Sequence, residues 1–219
     1  MSLQLPLRFK LEGHTRLDDY VGVAAHRLLE LDQLIVLSGD AGTGKSHLLQ
    51  GLCHQMTGSG GSALYLPMLA FLEPGILDGL EDSDLVCLDD IDEIHATPGW
   101  QVALFHLINA CRDQGVKLVL SSAEPIDALP IELPDLMSRL KGAYLLSTDI
   151  LSDVEKLEVI RIKSRRLGFE MDEDVCSFIL SRSQRDMHHL VRLVDRLDEA
   201  TLRQQKKITI PFVKKALDL

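Results

Sequence analysis

The sequence lacks the marks of a secreted or membrane-inserted protein. No apolar run approaches the ~18 residues needed to span a bilayer, and the N-terminus shows no signal-peptide pattern. The four cysteines, Cys53, Cys87, Cys111 and Cys176, are scattered without a C-x-x-C pair. They read as reduced core residues of a cytosolic protein. Positive charge is short as well: 23 Lys+Arg stand against 33 Asp+Glu, a formal net charge of −10. That balance disfavours unassisted binding to nucleic acid, which depends on neutralising phosphates with cations. Any role at DNA is therefore expected to run through a protein partner. No internal repeat is visible, and no helix-turn-helix pattern stands before Leu219.

What is present suffices for one α/β domain and a small appendage: 219 residues, 46% hydrophobic and 26% charged. Short apolar runs at 34–38, 63–66, 85–88, 117–121 and 143–147 alternate with longer amphipathic segments. This is the pattern of a five-stranded parallel sheet covered by helices on both faces, ending near Ser147. The glycine- and serine-rich stretch Thr57–Ser62 reads as a connector. After Thr148 the strand signals stop. Ser152-Asp153-Val154-Glu155 has capping-box form, and Gly168 supplies the stop of that helix. Further helices are expected over Glu173–Arg182 and from about Asp186 to Gln205, the latter with Leu190, Leu193, Val194 and Leu197 on one face. Thr209, as a cap, and Pro211, in a first turn, open a last helix. The expected layout is a short N-terminal segment (1–12), an α/β base (13–148) and a helical lid (149–219).

The chemistry is concentrated at Gly39-Asp40-Ala41-Gly42-Thr43-Gly44-Lys45-Ser46, a complete GxxxxGK[ST] loop between the apolar run 34–37 and the helical stretch His47–Gln55. Such a loop converges backbone N–H groups on a phosphate at a helix N-terminus. Lys45 is expected on the β- and γ-phosphates and Ser46 on Mg²⁺, with ADP or ATP as the cofactor and His47 next to the loop. Leu85-Val86-Cys87-Leu88-Asp89-Asp90 is an apolar strand ending in two acids. Asp89 is the metal-holding candidate, Asp90 the residue to polarise an attacking water, and Asp92 a weaker candidate. An aspartate at 90, one methylene shorter than the glutamate of vigorous ATPases, predicts slow turnover. Ser121-Ser122, ending the fourth run, fits either a phosphate or water contact or plain turn formation. Leu133–Arg139 reads as a short helix presenting one arginine.

Leu17-Asp18-Asp19-Tyr20-Val21-Gly22, the loop at 39–50, Cys87-Leu88-Asp89-Asp90-Ile91-Asp92, Leu133-Pro134-Asp135-Leu136-Met137-Ser138-Arg139-Leu140 and the tail from Arg203 to Lys214 together resemble the AAA+ ATPases of the DnaA clade. Within that clade they are most similar to the Hda family, regulators that inactivate the replication initiator DnaA. The resemblance spans nearly the whole chain. It implies that Tyr20 and Val21 line an adenine pocket, and that Arg139 is an arginine finger acting on ATP bound to DnaA. Gln4-Leu5-Pro6-Leu7-Arg8-Phe9 is similar to the peptide with which such proteins dock on the DNA sliding clamp, which makes Gln4, Leu5, Leu7 and Phe9 partner-binding candidates. From the residues alone, a terminal strand packing its apolar side chains on its own domain is the favoured reading.

His188 stands where the clade's lid carries a phosphate-sensing arginine, and Arg185 and Arg192, on the same helical face, are its alternatives. The orthodox Gly44-Lys45-Ser46 replaces the Gly-Arg-Thr frequent in Hda relatives and implies stronger nucleotide chemistry in this chain. The resemblance places the protein in the bacterial cytoplasm, associated with the nucleoid, with a homo-oligomer possible and neither membrane nor sequence-specific DNA contact. A self-contained ATPase resembling a helicase loader is the alternative function.

Overall fold

The polar ends and apolar centres of the expected strands assemble into one sheet. A computed structural model of the chain describes residues 15–67, 73–92, 99–184, 186–204 and 208–218. Five parallel strands, β1 (Leu34–Ser38), β2 (Ala63–Leu66), β3 (Leu85–Leu88), β4 (Lys117–Ser122) and β5 (Tyr144–Ser147), lie in the order β2-β3-β4-β1-β5. Side chains alternate across a strand, and the cores follow that period. Val36, Val86, Leu88, Leu118 and Leu120 point to one face, where they meet Trp100, Leu104, Leu107 and Leu136. Ile35, Leu37, Leu85, Cys87 and Val119 point to the other and meet Leu28, Leu48, Leu49 and Cys53. One layer therefore holds α1 (Ala24–Glu30) and α2 (Lys45–Gly58), the other α3 (Trp100–Gln114) and α4 (Pro134–Lys141). Each fully buried leucine contributes roughly 1.5–3 kcal/mol to this packing.

α2 is longer than the expected 47–55 at both ends. Gly44, with φ +91°, completes the loop and lets the helix start at Lys45. At the other end the Thr57 and Ser59 hydroxyls donate to the Cys53 and Gln55 carbonyls at 3.0 Å, which carries the helix through Gly58 into the stretch read as a connector. β4 gains Ser122, paired with Ser38 of the central strand.

The chain divides after Asp149 into two compact units. The second is helical: α5 (Asp153–Arg166), α6 (Glu173–Arg182), α7 (Met187–Gln204) and α8 (Ile210–Leu217) surround a core of their own that includes Ile160, Cys176, Ile179, Leu190, Val194, Leu197 and Val213. The capping box at α5 is present: the Ser152 N–H donates to Glu155 Oε2 at 2.8 Å, and the Glu155 N–H donates back to Ser152 Oγ. These Ser152 donors hold the Glu155 carboxyl below its usual range. Asp186 caps α7 by accepting from the His189 N–H at 2.8 Å. Thr209 departs from expectation: it occupies the N-cap of α8, but its side chain makes no cap bond. Pro211 in the first turn has no N–H to offer such a cap.

Candidate functional site

β1 delivers the chain to the loop at its carboxyl end, where open parallel sheets bind ligands. Gly42 and Gly44 have φ of +82° and +91°, in the left-handed region that favours glycine. At Gly44 a Cβ would stand 2.9 Å from the Tyr20 ring, so the aromatic side chain closes directly over the loop. The Tyr20 hydroxyl reaches the Thr43 carbonyl at 3.5 Å, and its ring lies 6.4 Å from that of His47. His47 Nε2 is 2.8 Å from the Arg16 carbonyl, which ties the start of α2 to the segment bearing Tyr20. Val21 is half-buried beside it, while Asp40 and Ala41 are exposed at the loop tip.

Lys45 is buried, its Nζ donating to the carbonyls of Gly39 at 2.6 Å and Asp40 at 3.1 Å. Thr43 Oγ1 donates to the Asp40 carbonyl at 2.8 Å and lies 2.6 Å from Thr148 Oγ1, just beyond β5. Thr148 Oγ1 also lies 3.3 Å from the Ser38 carbonyl, so the two hydroxyls link the loop to the end of β1. The Thr148 N–H in turn donates to the Ser38 carbonyl at 2.8 Å.

β3 brings Asp89, buried, and Asp90, exposed with φ +57°, to the same edge. Asp89 accepts at both oxygens: Ser121 Oγ donates to Oδ1, and Tyr65 Oη donates to Oδ2 at 2.7 Å. Ser121 Oγ also accepts the Asp90 N–H at 2.8 Å. Ser122 Oγ lies 2.8 Å from Asp92 Oδ1, and Asp92 accepts the Ala123 and Glu124 N–H groups at 2.8 and 3.1 Å. Both serine hydroxyls are thus spent on the acidic turn, and both residues are fully buried. Of the two roles open to Ser121-Ser122 in the sequence, the structure adopts turn formation.

Tyr65, read in the sequence only as part of an apolar run, joins the site through β2. Its oxygen accepts from Gln50 Nε2 at 3.3 Å. Burial, then the adjacent Asp89 charge, push the phenol well above its usual range and keep it a protonated donor. No sequence signal marks it: the register that pairs Tyr65 with Cys87, two residues ahead of Asp89, exists only in the folded sheet.

Arg139 lies half-buried in the last turn of α4. Of the base's other described cations, Lys45 and Lys117 donate to backbone carbonyls. Arg27, Arg112 and Lys141 pair with Glu30, Asp113 and Asp127. Arg139, like Arg16, has no carboxylate or carbonyl partner among the described residues. His188 and Arg192 are exposed on α7, in the second unit. Gln4, Leu5, Leu7, Phe9 and Arg185 lie outside the described residues.

A glycine loop between β1 and its helix, an acid ending β3, this strand order and an appended helical unit define a P-loop protein of the AAA+ class. Residues 153–217 match the family model described as Hda, lid domain. A Haemophilus influenzae protein described only as uncharacterized is 34% identical over 233 residues, covering the whole of both chains. Domain III of the Thermotoga maritima replication initiation protein DnaA superimposes with TM-score 0.78 at 20% identity, over 95% of this chain and 98% of that one. AMPPCP-bound DnaA from Aquifex aeolicus gives TM-score 0.69 at 20% identity, over 89% of this chain and 69% of that one. The Thermotoga maritima RuvB Holliday junction branch migration motor gives 0.67 at 17%, over 93% and 71%. The chain carries an Hda-type lid on a base with the AAA+ fold, and it belongs to one family with the Haemophilus influenzae protein. No helix among the described residues is long and apolar enough to cross a membrane.

Proposed function

We propose that the chain binds ADP or ATP at residues 39–46 and stimulates hydrolysis of ATP on DnaA through Arg139, while docked on the sliding clamp by Gln4, Leu5, Leu7 and Phe9. The observation that carries the reading is Arg139 itself: among the described residues it has no carboxylate partner, whereas Arg27, Arg112 and Lys141 each pair with one. Such an arginine is suited to the developing charge on another molecule's transferring phosphate, a contribution of about 10³–10⁵ in rate where fingers are known. Lys45 and Ser46 serve the chain's own nucleotide, with Tyr20 and Val21 against the base. His188 is the candidate phosphate sensor of the lid.

Mg²⁺ fits the residues present. The donors, the Ser46 hydroxyl and the Asp89 carboxylate, are hard oxygens, as Mg²⁺ requires, and phosphate oxygens and water complete its shell. Among the described residues no cluster of three or more His, Cys, Asp or Glu stands ready to hold a metal without the nucleotide. The ion, when bound, neutralises phosphate charge; Asp90 is the residue to orient water.

The test follows conversion of radiolabelled ATP on DnaA to ADP, with clamp loaded on DNA and this protein added. Arg139→Ala should retain folding, nucleotide binding and clamp binding, yet lose the stimulation. A rate close to the parental one would sink the mechanism. The complete Gly44-Lys45-Ser46 with Asp89 favours, as second reading, an autonomous ATPase like a helicase loader. That reading requires turnover by the chain alone.

A further inference from the structure

We propose that Tyr65 is a positioning residue for the divalent cation: its hydroxyl, held by Gln50 of α2 and donating to Asp89, fixes the carboxylate that would hold the ion. This rests on the reading of residues 39–46 and Asp89 as a nucleotide and Mg²⁺ site. A carboxylate that ligates a metal is held in its working orientation by donors to its oxygens. The phenol's single proton goes to Asp89 Oδ2 at 2.7 Å. Gln50, one turn beyond Ser46 on α2, donates to the same phenol oxygen at 3.3 Å and fixes the ring's end. Asp89 then has a donor at each oxygen, Ser121 on Oδ1 and Tyr65 on Oδ2, which sets the plane of the carboxylate while leaving each oxygen one further lone pair.

Tyr65 belongs to neither motif. It enters from β2 and is the atom chain through which α2 and the end of β3 share one hydrogen-bond network. Groups that orient metal ligands typically matter by about 10–100-fold in metal affinity.

The experiment titrates a fluorescent ADP analogue onto wild type and Tyr65→Phe in EDTA, then titrates Mg²⁺ at fixed nucleotide. Phenylalanine keeps the ring and removes only the hydroxyl. Equal affinity in EDTA is expected, together with a Mg²⁺ midpoint raised about 10-fold. Gln50→Leu, which loosens the phenol without touching either cation holder, should move the midpoint the same way by less. It carries the test if Tyr65→Phe melts early. An unmoved midpoint overturns the proposal, and so does a lowered one, which would make the hydroxyl a competitor of the cation. Wild type that binds no nucleotide at all defeats the underlying site reading instead.

Discussion

Asp92 shows how far a single residue's role depends on neighbours that sequence does not display. Strand alternation makes it resemble Asp90, a candidate for water. Its carboxylate instead accepts from two backbone amides, those of Ala123 and Glu124, and lies beside the buried Ser122 hydroxyl. Asp92→Ala removes the acceptor of two amides on exposed residues, a net loss of about 0.5–1.5 kcal/mol for each bond. The variant is expected to lose stability in chemical denaturation while nucleotide affinity changes little. Unaltered stability with abolished hydrolysis would return Asp92 to the catalytic candidates. The phosphate loop was legible because its residues lie consecutively along the chain. Tyr65, Ser121 and Asp92 were not, since their partners come from strands adjacent only in the folded sheet.

Among the elements, α2 contains the sharpest conflict between local preference and packing. Gly51 sits in mid-helix, where alanine is ordinarily better by about 1 kcal/mol. Yet a Cβ there would stand 2.8 Å from the Leu17 backbone nitrogen and 3.0 Å from its Cα. Backbone cannot rotate away as a side chain can, so the packing loss should exceed the propensity gain. Gly51→Ala is expected to lower Tm, although α2 becomes a better isolated helix; a raised Tm would mean that the segment around Leu17 yields. This also shows where element boundaries escape a sequence reading. Strands β1, β2 and β3 follow from apolar runs of strand length. The ends of α2 depend on Gly44's left-handed backbone and on hydroxyls bonding back to carbonyls, which composition registers only as loop-forming residues.

At the scale of the whole molecule, the two units differ in charge as well as architecture. Nine of the 23 lysines and arginines but 21 of the 33 acids fall before residue 150, so the base carries a formal charge of −12 and the lid +2. The lid's apolar residues face one another, with Ile160, Met171, Ile179, Leu190, Leu197 and Val213 in a core separate from both faces of the sheet. A fragment of residues 150–219 is therefore expected to fold alone, helical and with a cooperative thermal transition, at the marginal stability of about 3–5 kcal/mol typical for this size. Circular dichroism of the fragment decides it, and a broad non-cooperative melt would make the lid dependent on the base. The lid was readable because its capping box, its leucine spacing and its helix stops agree with one another.

The bond between Thr43 and Thr148 has a consequence for distance. Thr43 belongs to the loop that would hold a phosphate, and Thr148 is two residues before the second unit begins at Ile150. Along the chain those positions lie 105 residues apart, with β2 to β5 and α2 to α4 between them. Through the hydroxyl pair, the route from the loop to the start of the lid is one hydrogen bond and two peptide units. A displacement of the loop therefore has a path to the chain's exit from the base that bypasses every helix of the domain.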